Sequence, residues 1–136
     1  SIASDLSESR IHLLGPDAQL PEEIARSHLF VTDYSSVAWD FLYLDKPVLF
    51  FQFDRDQFNR VRGSYIDVRQ DGPGPVSGTP EETVEWIERF LAADFELEEW
   101  RLAREAWRAR AFAHIDQGNC RRIVEAILTG LGDGRD

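Results

Sequence analysis

The chain has 136 residues, 43% of them hydrophobic, a formal charge of −10 and a single cysteine. That length suits one domain, 1–136, able to bury about two-thirds of its unfolded surface without metal or disulfide. The acidic balance argues against a nucleic-acid backbone or an anionic membrane as partner of the whole surface, while leaving room for a local basic spot in a cleft.

The lone Cys120 can form no internal disulfide, so nothing points to an oxidising compartment, and it reads as a small buried residue. His12, His28, His114 and Cys120 show no metal-ligand spacing. No run approaches the roughly 18 apolar residues that span a bilayer, and there is no signal-peptide pattern. Methionine is absent, so a chain beginning Ser1-Ile-Ala-Ser reads as a fragment or processed product of a longer protein.

Ser1–Arg10 and the tail 132–136 read as frayed ends. Ile11-His-Leu-Leu14 is a strand candidate closed by Gly15-Pro16, with His12 a packing or edge residue. A helix is predicted from Asp17–Leu20 onward, with Pro21 in its first turn, Glu22 and Glu23 at its positive end, Ile24 and Ala25 inward and His28 at its negative end.

Leu29–Thr32 is a short apolar run with the character of a strand buried on both faces. Asp33-Tyr-Ser-Ser36 makes a tight turn, and a helix from about Ser36 to Leu44 follows. It must stop near Asp45-Lys46, because the residue before Pro47 is pushed out of the helical region. Val48–Phe51 is the next buried strand.

The Ser36–Leu44 helix is apolar on nearly every side, as in a buried helix, except at Ser36 and Asp40, which share one face. Two serine hydroxyls, unpaired backbone N–H groups and the positive end of the helix dipole meet at the carboxyl edge of a parallel sheet. That arrangement suits a phosphate, although serine is also an ordinary helix cap. Asp33 can orient the turn through its own backbone. Tyr34 can pack on a ligand or simply close the turn. Asp40 would repel a phosphate if unpaired, so it reads as an acceptor for a ligand hydroxyl, an anchor for an arginine, or a satisfied buried carboxylate.

A short helical turn is predicted near Asp56–Arg60, and Arg60 and Arg62 are the basic candidates closest to the serine turn. Arg62-Gly-Ser-Tyr65 can fork donors onto phosphate over a tight backbone, or it can be a solvated loop. Asp71-Gly-Pro-Gly-Pro75 is loop punctuation. Thr79-Pro-Glu-Glu82 opens a helix running to about Leu91, with Val84, Ile87, Phe90 and Leu91 inward. A helix over about Leu97–Ala113 carries a stripe of Leu97, Trp100, Ala103, Trp107 and Ala111, with Arg101, Arg104 and Arg108 on a solvated face. The last helix, about Asn119–Leu131, turns Ile123, Val124, Ile127 and Leu128 inward.

This order of elements predicts an α/β fold, a three-layer open parallel sheet with helices on both faces. Val31-Thr-Asp-Tyr-Ser-Ser-Val with Asp40, then Leu44-Asp-Lys-Pro-Val-Leu-Phe-Phe51, resembles the C-terminal half of the CDP-glycerol glycerophosphotransferase family, the teichoic-acid primases and polymerases. Arg62-Gly-Ser-Tyr65, Pro73-Gly-Pro75, Asp116-Gln-Gly-Asn119 and Arg122-Ile-Val124 continue the resemblance in order, over about residues 11–129.

The resemblance implies a Rossmann-like C-terminal lobe of a GT-B-type transferase that binds CDP-glycerol or CDP-ribitol, with no cofactor and no metal. It implies that Ser35 and Ser36 contact the donor pyrophosphate together with Arg62 and Gly63, and that Asp33, Tyr34 and Asp40 bind or orient the donor. The N-terminal lobe of the same protein would be the partner, bringing the acceptor. The setting would be cytoplasmic, with a full-length protein peripheral at the inner face of the membrane and no direct membrane contact from this segment. The family's Arg-x-His-Pro segment is missing here, so no catalytic residue is assigned within the chain, and the isolated lobe is expected to be inactive. Two other readings stay open: a nucleotide-sugar-binding lobe of a GT-B glycosyltransferase, and a non-enzymatic α/β binding module. A lobe cut from its mate and unable to bind alone is a further reading.

Overall fold

The computed structural model describes residues 11–62 and 67–132. In chain order its elements are α1 (Leu20–Arg26), β1 (Phe30–Thr32), α2 (Val37–Tyr43), β2 (Val48–Phe51), α3 (Arg55–Val61) and α4 (Val68–Asp71). Then come β3 (Val76–Ser77), α5 (Pro80–Ala92), α6 (Glu98–Ala111) and α7 (Asn119–Gly132). The three strands form one parallel sheet in the order β1-β2-β3, with Phe30 beside Val48 and Phe50 beside Val76.

β2 is the middle strand and the centre of the core. Val48 and Phe50 point to one face, where they pack with Ile24, Ala38 and Phe41. Leu49 points the other way and is equally buried. α2 packs on β1 and β2, and α5 on β2 and β3. Helices therefore cover both faces, the three-layer arrangement that a continuous apolar strand demands.

α2 ends where the Asp45-Lys-Pro segment predicts, with Asp45 in the left-handed region at φ 60°. The start of α5 also follows its sequence. Thr79 Oγ1 accepts from Glu82 N at 3.2 Å, and the Glu82 carboxylate accepts from Gly78 N at 2.7 Å.

Several expectations are corrected. Ile11–Leu14 has no strand assignment and is not part of the sheet formed by the described residues, and Leu13 is 68% exposed. The third strand is β3, at the end of the Pro-Gly-Pro segment. Residues 72–75 are buried rather than looping through solvent. Pro75 O accepts from Phe50 N at 2.9 Å, and a Cβ on Gly74 would lie 1.9 Å from Val48 O, so only glycine fits.

On α5, Phe90 is buried, whereas Val84 and Leu91 are exposed. On α6, Trp107 is buried and meets Trp39 at 5.7 Å. Arg101 is on the surface with Glu98 and Glu105, but Arg104 is 2% exposed. Its guanidinium meets Asp45 at 2.8 Å and Glu96 at 3.0 Å, which is how a charge can be buried. Arg108 donates to Tyr43 O at 3.1 Å and pairs with Asp45 at 3.2 Å. The apolar residues of α7 (Ile123, Val124, Ile127 and Leu128) and Cys120 are exposed, because no described element packs on that helix face.

Candidate functional site

The β1–α2 turn is fixed by its own side chains. Asp33 Oδ1 accepts from Tyr34 N at 2.6 Å, and Ser35 Oγ accepts from Val37 N at 3.2 Å. Ala38 N and Trp39 N already donate to Ser35 O and Ser36 O. Ser36 occupies the cap position, yet its hydroxyl makes no cap bond and is exposed. The backbone N–H groups of Ser35 and Ser36 have no acceptor among the described residues. The turn therefore offers two N–H donors and one free hydroxyl at the carboxyl edge of the sheet.

Tyr34 joins this turn to the neighbouring loop. Its ring stacks on Phe58 of α3, 3.6 Å between centroids and nearly parallel. Its hydroxyl donates to Asp54 Oδ1 at 3.2 Å. Burial, then the Asp54 carboxylate, push the phenol up to about 12. Tyr34 thus closes the turn against α3.

Beside it lies a cleft of ≈ 600 Å³. Its walls are Gln52–Asp54 after β2, α3 with Arg55 and Arg60, Arg69 of α4, and Gly78 after β3. It opens beyond the carboxyl ends of β2 and β3, the edge where open α/β sheets hold ligands. Asp67 fixes two of these walls to each other. Its Oδ1 accepts from Arg69 N at 3.1 Å and caps α4, while its Oδ2 takes Arg55 at 2.6 Å.

Of the residues expected at a donor site, Asp33, Tyr34, Ser35 and Ser36 share one turn. Arg62 is exposed at the C-cap of α3 and is not among the cleft residues. Gly63 lies outside the described residues. Asp40 is exposed, and its carboxylate has no partner among the described residues. It is therefore neither an arginine anchor nor a buried, satisfied acid. His12 is exposed, and His28 stacks on Phe95 at 5.2 Å.

Asp54, Asp67 and Arg69 belong to no motif that marks them in the sequence. The one local signal was Asp67 two residues before Arg69, the spacing of a capping carboxylate. No group of three or more His, Cys, Asp or Glu that could hold a metal exists among the described residues. No helix among them is long and apolar enough to cross a membrane.

The sequence profile of the CDP-Glycerol:Poly(glycerophosphate) glycerophosphotransferase family matches residues 2–129. The chain is 43% identical over 72 residues to a teichoic acid poly(glycerol phosphate) polymerase of Bacillus subtilis, covering 52% of this chain and 10% of that protein. It is 32% identical over 104 residues to a teichoic acid glycerol-phosphate transferase of Staphylococcus aureus, covering 75% of this chain and 26% of that one. A teichoic acid ribitol-phosphate primase of Bacillus spizizenii is 29% identical over 113 residues, with 83% and 28% covered. The wall teichoic acid polymerase TagF superposes with a TM-score of 0.69 at 22% identity, over 95% of this chain and 32% of that one. That likeness bears on the fold alone. The chain thus spans between 10% and 28% of the length of the curated relatives named here.

Proposed function

Because this chain belongs to the CDP-glycerol:poly(glycerophosphate) glycerophosphotransferase family, we propose that it is the donor-binding lobe of a transferase that adds polyol phosphate to a teichoic-acid-like polymer. The donor is a cytidine diphosphate-linked polyol, glycerol or ribitol. An acceptor hydroxyl attacks the phosphorus that bears the polyol. The bond from that phosphorus to the bridging oxygen breaks, and CMP leaves with the electron pair. A nucleotide-linked donor places the reaction in the cytoplasm. The acceptor and the general base come from a partner lobe, so this chain alone releases no CMP.

The observation that carries this reading is the β1–α2 turn beside the cleft. Free donors at Ser35 and Ser36 stand at the carboxyl edge of the sheet, and Tyr34 ties them to the cleft wall. The chain's contribution to catalysis is to position the donor and stabilise its phosphates, with Ser35 and Ser36 on the pyrophosphate. Arg62, exposed at the end of α3, is the basic residue proposed to reach the same phosphates, and Asp40 accepts from a donor hydroxyl.

Calorimetric titration with CDP-glycerol, CDP and UDP, beside Ser36→Ala, tests the proposal. Because the Ser36 hydroxyl makes no cap bond, this variant keeps its fold. Cytidine-selective binding, weakened about tenfold in the variant, is the expected result. Equal or tighter binding of UDP would point instead to a lobe that takes nucleotide sugars. Binding unchanged by the substitution would remove the serine turn from the site.

A further inference from the structure

The arginines of this chain are unevenly partnered. Of the twelve that the structure describes, nine have a carboxylate within 4.0 Å. The other three are Arg60, Arg62 and Arg69, all within one ten-residue stretch. Two of them, Arg60 and Arg69, line the carboxyl-edge cleft. In a chain with a net charge of −10, carboxylates are plentiful, so unpaired guanidiniums in one cleft are conspicuous.

The other charged groups of the cleft are mostly committed. Arg55 is paired with Asp67 at 2.6 Å, and Asp54 accepts from the Tyr34 hydroxyl. Asp56 also lines the cleft and opposes an anion there, so the attraction must come from Arg60 and Arg69. Arg69 is well placed for this. Its backbone N–H is held by Asp67, and its Nη2 lies 3.4 Å from where a Cβ on Gly78 would stand. The guanidinium therefore spans from α4 to the β3–α5 turn, where the nearby Glu82 carboxylate, 3.7 Å from the same point, is taken by Gly78 N at 2.7 Å.

We propose that Arg69, together with Arg60 of α3, holds a phosphate of the ligand, a contact separate from the Ser35–Ser36 turn. This rests on the donor-lobe reading for the nature of the ligand, but not for the existence of the contact. Guanidinium forks match phosphate oxygens, and both side chains are exposed and free to reach one. The phosphate is either that of the nucleotide donor or a phosphodiester of the polyol-phosphate acceptor. Asp67 is a positioning residue, since it aligns both arginine-bearing walls.

The test is to titrate CDP and, separately, poly(glycerol phosphate) into the chain and its Arg69→Gln and Arg69→Lys variants at several salt concentrations. Circular dichroism confirms that each variant is folded. Arg69→Gln should weaken binding of one probe about tenfold and flatten its salt dependence, with partial recovery in Arg69→Lys. Loss confined to CDP assigns the contact to the donor, and loss confined to the polymer assigns it to the acceptor. If the wild type binds CDP and Arg69→Gln binds both probes unchanged, the arginine contact is overturned while the donor reading stands. If the wild type binds the polymer but no cytidine nucleotide, and Arg69→Gln loses it, the donor reading falls and the arginine contact stands. A wild type that binds neither probe overturns both.

Discussion

The sheet has a cleft at each end, and the two treat their positive charges differently. At the amino ends of β1 and β2 lies a space of ≈ 350 Å³ bordered by Arg26, Ser27, Lys46, Asp94 and Glu96. Its cations are already committed. Arg26 pairs with Glu23, and Lys46 Nζ donates to Ile24 O at 2.8 Å, Ala25 O at 2.6 Å and Ser27 O at 2.9 Å. Those bonds close the carbonyl end of α1, where a positive charge is favoured. Behind this cleft, Arg104 is held by Asp45 and Glu96. At the carboxyl ends, Arg60 and Arg69 have no carboxylate partner among the described residues, and neither does the Ser36 hydroxyl have a cap partner. A committed cation stabilises the fold, whereas an uncommitted one is free to meet a ligand.

Substitutions at the two ends should separate along this line. The largest effect is expected from Arg104→Ala, which removes the charge-assisted bonds to Asp45 and Glu96 together with the buried packing of the arginine stem. Both carboxylates keep their contact with water and Asp45 keeps Arg108, so the loss is of bonds and packing, about 3 kcal/mol. Chemical denaturation should show this loss, with CDP affinity unchanged while the protein is folded. Lys46→Met should cost less, about 2 kcal/mol, for three charge-assisted bonds to carbonyls at a partly exposed site. It too should leave nucleotide binding alone. Nucleotide binding abolished in either folded variant would break the division between the two ends.

Tyr34→Phe is the smaller, sharper probe on the carboxyl side. It removes one hydrogen bond, to Asp54, and keeps the stack on Phe58, so the cost should be about 1 kcal/mol. The folded phenol titrates near 12 against 10.0 for a free one, so the neutral form is favoured by folding. Its contribution is present below pH 10 and is lost as pH rises toward 12. Ultraviolet titration should show a late-ionising tyrosine that disappears in Tyr34→Phe. The smallest effect belongs to Arg101→Ala. Arg101 is a surface residue between Glu98 and Glu105, and its removal should leave the melting temperature unmoved.

Much of this division was hidden from the sequence, for physical reasons. Local signals were legible. The strands over Phe30–Thr32 and Val48–Phe51, the stop at Asp45-Lys-Pro47 and the cap at Thr79 depend on neighbours in the chain, and all are found, although β1 leaves Val31 exposed instead of being buried on both faces. The Asp33–Ser36 turn was legible for the same reason. Partners distant in sequence were not. Arg104 looks like one more charge on a solvated helix face until Asp45, 59 residues earlier, comes against it. β3 is two residues long and follows Pro-Gly-Pro, so no apolar run announces it, and its place is set by Gly74 lying against Val48. Ile11–Leu14 has the composition of a strand but no place in the sheet. Arg69 sits on a four-residue helix too short for any periodicity, and only the fold brings it into the same cleft as Arg60.

The most direct test of the account is to record backbone amide spectra of the chain while titrating CDP-glycerol. Binding at the carboxyl edge predicts shifts at Ser35, Ser36, Asp54, Arg60, Arg69 and Gly78, with Arg26, Lys46 and Glu96 unmoved. Shifts centred on Arg26, Lys46 and Glu96, with the serine turn silent, would contradict it.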